Sequence, residues 1–161
     1  MGQFQFSYEL FDSIELLEDQ DAALLRAAIA TTSVAYAPYS GFHVGAVAVL
    51  ENGALVSGTN QENASYPVGI CAERVLLGNV AMQYPGQKIK SMAISYRTKK
   101  RPSDQPISPC GMCRQALVEF EFRTAAPIRL ILGGETGQVM IIDSAKLLLP
   151  FTFSPHELGT D

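Results

Sequence analysis

Three cysteines, all held in two short motifs, constrain this chain more than any other feature. Cys71-Ala72-Glu73 lies well upstream of Pro109-Cys110-Gly111-Met112-Cys113, and no cysteine is left over. Cysteine sulfur is a good ligand for zinc, and a catalytic zinc keeps three protein ligands and one position open for water. A fold that uses all three must bring two distant segments to one point. Glu73, two residues after Cys71, stands where a carboxylate could serve a metal-bound water. The pattern reads as hydrolysis by a zinc-activated hydroxide.

The elements around the motifs say how the sulfurs could meet. Asp21 to Ala37 is rich in Ala and Leu and predicts a helix that ends before Pro38. Phe42 to Leu50 predicts a strand, Asn52-Gly53 a hairpin turn, and Ala54 to Thr59 the returning strand. Cys71 to Met82 predicts a helix, Ile89 to Tyr96 a strand, and Cys110 to Phe122 another helix. Ile128–Leu132 and Val139–Ile142 predict further strands, and Asp143–Leu149 a short helix with Asp143 as its N-cap. Strand–helix–strand alternation argues for a sheet with parallel pairs covered by helices. Cys71 starts one expected helix, and Cys110 and Cys113 lie in the first turn of another. Helix starts carry unpaired N–H groups and partial positive charge, which favour thiolate over thiol.

Composition bounds the class of function. The chain has 161 residues, 47% hydrophobic and 17% charged, which suits one compact soluble domain. Net charge is −4, and the one dense basic run, Arg97 to Arg101, reads as a solvated loop. A nucleic-acid binder is expected to show a basic face, so DNA and RNA are disfavoured as partners. No apolar run is long enough to span a membrane, and Met1 to Asp12 lacks the pattern of a signal peptide. A cytoplasmic location is expected, where thiols stay reduced and cysteine clusters are more often metal sites than disulfides.

The motifs also carry a resemblance. A Cys-x-Glu element followed by Pro-Cys-x-x-Cys is the signature of zinc-dependent deaminases, in which the glutamate moves protons. The fuller match is to the small homotetrameric cytidine deaminases. It rests on Ala37-Pro38-Tyr39-Ser40-Gly41-Phe42-His43-Val44-Gly45-Ala46, Asn60-Gln61-Glu62-Asn63-Ala64-Ser65-Tyr66-Pro67, Cys71-Ala72-Glu73-Arg74 and Pro109-Cys110-Gly111-Met112-Cys113-Arg114-Gln115. Leu148-Leu149-Pro150-Phe151-Thr152-Phe153 adds a weaker fifth segment.

The resemblance implies an α/β fold of three layers, a five-stranded mixed sheet between helices, in one zinc-dependent deaminase domain spanning residues 21–161. Residues 1–20 then form an N-terminal extension. It implies one zinc per chain, Glu73 as the proton carrier, and cytidine and 2′-deoxycytidine as substrates in pyrimidine salvage. It places Arg74 beside the ligand sulfurs to offset their charge, and the Ala72 N–H on the pyrimidine O2. Asn60 and Glu62 match the pair that holds the ribose, and Phe42 the ring that stacks on the pyrimidine. Glu62 also disfavours a 5′-phosphate, so a nucleoside is expected over a nucleotide. Phe153 matches an aromatic that reaches into a neighbouring subunit's pocket in a homotetramer, with Phe151 one register away as the alternative. Tyr66 matches an aromatic at the subunit boundary.

Simpler readings stand beside these. His43 could complete a structural Cys₃His site in a non-enzymatic zinc-stabilised module. Phe42 could be an ordinary core aromatic, and Asn60 and Glu62 turn residues before a helix. A related enzyme with the same zinc chemistry on another amine, such as blasticidin S, shares the cysteine motifs but not the Asn60-Gln61-Glu62-Asn63 run. Arg114 and Gln115 are read as helix packing or interface contacts. The Thr98–Ser108 loop is longer than is typical of the resemblance and could reshape the pocket mouth.

Overall fold

The computed structural model describes residues 1–159; the last two residues of the expected domain, Thr160 and Asp161, lie outside the described residues. Six strands form one mixed sheet: β1 (Glu9–Phe11), β2 (Phe42–Leu50), β3 (Leu55–Thr59), β4 (Ile89–Thr98), β5 (Arg129–Gly133) and β6 (Val139–Ile142). Their order across the sheet is β1-β6-β5-β4-β2-β3, and only β4 and β5 run parallel. Three helices cover it: α1 (Asp19–Thr31), α2 (Ala72–Gln83) and α3 (Gly111–Thr124).

The alternation of strand side chains sorts the core into two layers. Ala46, Ala48 and Leu50 of β2 join Met92 and Ile94 of β4 and Leu130 and Leu132 of β5 under Leu76 and Val80 of α2 and Leu117 of α3. The opposite phase, Val47, Ala93 and Ile131, packs under Leu24, Leu25 and Ala28 of α1. The expected helix–sheet–helix layering is thus present. Truncating a fully buried leucine such as Leu76 to alanine in such a core costs about 2–5 kcal/mol.

The expected count of five strands is corrected to six. β1, within residues 1–20, pairs antiparallel with β6 through Glu9↔Ile141, Leu10↔Met140 and Phe11↔Val139. Its three residues gain ladder hydrogen bonds only because β6 presents an otherwise open edge, a dependence that local sequence does not carry.

Other boundaries moved for local reasons. α1 stops at Thr31 because Thr31, Thr32 and Ser33 turn their hydroxyls back onto the carbonyls of Ala27, Ile29 and Ala30. The chain then passes through one 3-10 turn, Thr32–Val34, before Pro38. The short helix expected at Asp143–Leu149 is a 3-10 turn, Ala145–Leu148, capped by Ser144 rather than Asp143, since the Ser144 hydroxyl accepts from the Lys146 N–H; a further 3-10 turn, Pro155–Leu158, follows.

Two glycines shape this sheet, one by its backbone conformation and one by how closely it lets a helix approach. Gly53 takes φ +84 in the β2–β3 turn, a conformation that favours glycine. A Cβ at Gly58 of β3 would lie 2.4 Å from the Ala72 carbonyl oxygen and 2.5 Å from the Leu76 nitrogen. The missing side chain lets the start of α2 rest directly on β3. The Thr98–Ser108 loop is held down as well. Buried Ser103 accepts the Thr98 N–H at 3.2 Å on its hydroxyl and the Thr136 N–H at 3.2 Å on its carbonyl.

Candidate active site

Helices α2 and α3 each begin on a cysteine. Cys71 is the N-cap of α2 and Cys110 the N-cap of α3, both with extended backbone. The Cys71 carbonyl accepts the Arg74 and Val75 N–H groups, each at 3.1 Å, and the Cys110 carbonyl accepts that of Arg114 at 2.9 Å. Cys113, one turn into α3, is fully buried. The Sγ atoms of Cys71 and Cys110 are 3.7 Å apart, those of Cys110 and Cys113 3.4 Å, and all three lie within 4.8 Å of one another.

This donor set fits one zinc ion per chain. Zinc–sulfur bonds of 2.3 Å in a tetrahedron place sulfurs about 3.8 Å apart. The protonation of the cluster points the same way. A hydrogen bond from Cys113 is the main cause that brings the Cys71 thiol down to about 6. The same bond, with burial, pushes Cys113 up. One thiolate forms readily and the next is opposed by it, so three together call for a cation. Three sulfurs leave the fourth corner of a tetrahedron open.

Glu73, in the first turn of α2, is 5% exposed, and burial raises its carboxyl above the ordinary range. Contact with Cys113 opposes that rise only in part. A carboxyl that holds its proton more tightly than usual suits a group that takes and then gives up a proton. Ala72 is fully buried, and as the first residue of α2 its N–H has no acceptor inside the helix. Arg74 follows on the same turn and favours the charged form of Cys71 through space. Among the described residues its guanidinium makes no hydrogen bond to the sulfurs; it borders a shallow cavity with Met112, Gln115 and Glu119 of α3.

Asn60 spans the start of β2. Its Oδ1 accepts the Val44 N–H at 2.8 Å and its Nδ2 donates to the Phe42 carbonyl at 2.9 Å. Glu62 turns its carboxylate to the Tyr39 and Ser40 N–H groups, at 2.9 and 3.2 Å. It lines a cavity of about 360 Å³ with Tyr39, Ser40, Asn63, Tyr66 and Gly69. Phe42 is half-buried and stacks on Tyr96, with centroids 4.9 Å apart and planes 14° from parallel. Phe153 and Phe151 stay outside this cluster within one chain, 59% and 90% exposed. His43 lies on β2 and is absent from the group of metal-competent side chains formed by the three cysteines.

Two residues set aside as packing tie the periphery to the sulfur site. Arg114 donates from Nε to the Pro109 carbonyl at 2.9 Å and from Nη1 to that of Leu148 at 3.2 Å. Gln115 donates to the Phe153 carbonyl at 2.7 Å. They directly follow Cys113 as Arg114-Gln115, and that closeness was the available signal. Tyr96 carried no signal beyond its place at the end of a strand.

A buried carboxyl beside three converging sulfurs at two helix starts defines a site for metal-assisted hydrolysis. Known proteins agree. The family model described as the cytidine and deoxycytidylate deaminase zinc-binding region matches residues 18–126. The cytidine deaminase of Halalkalibacterium halodurans is 34% identical over 136 residues, covering 84% of this chain and 96% of its own. That of Sporosarcina psychrophila is 37% identical over 126 residues, covering 78% and 85%. The crystal structure of cytidine deaminase from Burkholderia pseudomallei superposes with a TM-score of 0.71 at 37% identity, over 85% of this chain and all of that one. The chain belongs to the cytidine and deoxycytidylate deaminase family.

Proposed function

We infer that this chain is a zinc-dependent hydrolase that converts cytidine to uridine and 2′-deoxycytidine to 2′-deoxyuridine, with release of ammonia. One observation carries the reading: a buried glutamic acid set against three sulfurs that fit zinc and leave one position open. Bound zinc supplies a Lewis acid that makes water a nucleophile at neutral pH.

The residues of the chain supply the proton traffic and the fit. Glu73 takes a proton from the attacking water and delivers it to N3 of the pyrimidine. It then takes the remaining proton from the oxygen added at C4, which becomes the product carbonyl, and passes it to the 4-amino group. A C4–O bond forms, the C4–N bond breaks, and the amine departs as ammonia. Burial raises the Glu73 carboxyl above its ordinary value, so it holds a proton more readily than an exposed acid and can hand it on. The Ala72 N–H donates to the pyrimidine O2. Three thiolates against Zn²⁺ leave net charge −1, and Arg74 offsets it from the next residue.

On the sugar side, Asn60 and Glu62 hold the ribose hydroxyls, and Phe42 stacks on the pyrimidine. A carboxylate at Glu62 opposes a 5′-phosphate, which favours nucleosides over nucleotides. The Asn60-Gln61-Glu62-Asn63 run supports this substrate over blasticidin S. We further place Phe153 in a neighbouring subunit's pocket within a homotetramer; its exposed ring and exposed Tyr66 are what an assembly would cover. The three free thiols fit a reducing, cytoplasmic setting. Residues 21–161 form the catalytic domain in this reading.

The test is loss of the cytosine absorbance band in zinc-loaded protein given cytidine, then cytidine 5′-monophosphate. Turnover of cytidine alone is expected. Glu73→Gln should lower kcat by about 10²–10⁴-fold with zinc still bound at one per chain. Full activity of that variant would refute the role of Glu73. Turnover of the monophosphate would refute the role of Glu62 against phosphate.

A further inference from the structure

Tyr96 stands near the end of β4, fully buried, and no protein group among the described residues lies within hydrogen-bond distance of its hydroxyl. An unpaired buried hydroxyl costs about 1–3 kcal/mol, and native proteins seldom keep one without a use. Phenylalanine would fill the same volume without that cost. The partner of this hydroxyl therefore comes from outside the described residues.

The surroundings indicate which partner. Tyr96 shares its strand face with Met92 and Ile94, which pack under α2 and α3. Across the ladder it pairs with Val44, and its ring stacks on Phe42. Asn60 grips both of those neighbours by their backbones. The hydroxyl thus belongs to the layer that holds Phe42 and Asn60, on the side of the sheet where the two cysteine-bearing helices begin. Arg101 lies over the Tyr96 ring, 5.7 Å from its centroid, and joins the long loop after β4 to the same spot.

We propose that Tyr96 is a positioning residue for the nucleoside. Its ring sets the plane of Phe42, and its hydroxyl pairs with a polar group of the bound nucleoside, directly or through one enclosed water. The hydroxyl is shut from solvent in the free chain, so direct pairing requires a group that covers it to shift on binding. The inference rests on the reading of Phe42 as the ring that stacks on the pyrimidine.

Three variants of the zinc-loaded protein test it: Tyr96→Phe, Tyr96→Leu and Phe42→Leu. Tyr96→Phe keeps the ring and removes the hydroxyl. Its Tm should hold or rise, while KM for cytidine rises about three- to tenfold, the factor one neutral hydrogen bond is worth. Its kcat should stay within about twofold, the mark of an interaction equal in ground and transition states. Uridine, the product, should bind more weakly by the same factor in calorimetry.

Tyr96→Leu removes the stack as well. Combined with Phe42→Leu it should raise KM by less than the product of the two single effects, because either change breaks the same pair. An unchanged KM in Tyr96→Phe overturns the role of the hydroxyl, whatever the Tm does. A raised KM in Phe42→Leu with an unchanged KM in Tyr96→Leu overturns the positioning role and leaves the stacking of Phe42 intact. An unchanged KM in Phe42→Leu overturns both. Should Tyr96→Leu fail to fold, Tyr96→Phe decides alone.

Discussion

The side-chain amide of Gln115, two residues past Cys113, donates a 2.7 Å hydrogen bond to the backbone carbonyl of Phe153. Its Oε1 also accepts the Thr152 hydroxyl at 3.3 Å. A residue on the first turns of α3 thereby fixes the segment that presents the Phe153 ring. We predict that Gln115→Ala, which frees that segment, raises KM for cytidine about three- to tenfold. The Tm should fall by only a few degrees, since the bond is exposed. Steady-state kinetics check it, and an unaltered KM would remove Phe153 from substrate binding or Gln115 from its support.

Metal removal should be visible without any substrate. The three sulfurs lie within 4.8 Å of one another, and ionising them together needs a cation. We predict that chelation lowers Tm and that added zinc restores it. Free zinc at about a thousandfold over its Kd is worth about 4.1 kcal/mol of stability. Cys113→Ser should bring bound zinc well below one per chain in elemental analysis. Full occupancy in that variant would overturn the ligand set.

Glu62 gives a pH dependence whose sign can be worked out. Desolvation alone would raise its carboxyl, but bonds from the Ser40 side chain and the Tyr39 and Ser40 N–H groups together hold it below its ordinary value of 4.5. A carboxyl lowered in the folded state stabilises the fold above its unfolded value, and that contribution is lost as pH falls through the folded value. Wild type should therefore be more stable than Glu62→Gln above pH 4.5, with the two Tm curves converging at lower pH. Parallel curves across that range would contradict the bonding of Glu62.

Glu121 is a buried acid with no part in the chemistry. Its Oε1 accepts the Ile128 N–H at 2.7 Å, the Ala145 N–H at 2.8 Å and the Ser144 hydroxyl at 3.0 Å. Glu121→Ala strands two buried N–H groups and should cost about 3 kcal/mol or more. At this chain length that is a Tm loss of about 6–12 °C. Glu121→Gln keeps an acceptor and should lose less, and kcat of folded protein should be unchanged in both. Thermal melts with matched kinetics decide it.

Much of this was legible because the signals are local. Phe42–Leu50 is a largely apolar run that stops just before Asn52-Gly53, so its strand matches residue for residue. The three cysteines announce their meeting by type and spacing, and the structure brings their sulfurs together. What local sequence hid depends on partners distant along the chain. β1 exists because β6 offers an edge. Thr31 to Ser33 end α1 early through bonds that compete with the helix. Asn60, matched in sequence to the ribose-holding pair, gave no sign there that its amide clasps Phe42 and Val44. Tyr96 reads as one more residue of β4 until its hydroxyl proves to lack a partner among the described residues.

The empty side of Gly58 reaches further than packing. Because the Ala72 carbonyl stands 2.4 Å from where a Cβ would be, a single added methyl must push the first turn of α2 outward. That turn carries Cys71, Ala72 and Glu73, while Cys110 and Cys113 ride on a different helix. The spacing between the sulfurs is thus written partly at a position with no side chain at all. A change there could spare the sheet and still detune the metal centre, so a screen that scores folding alone would pass enzymes that have lost their chemistry.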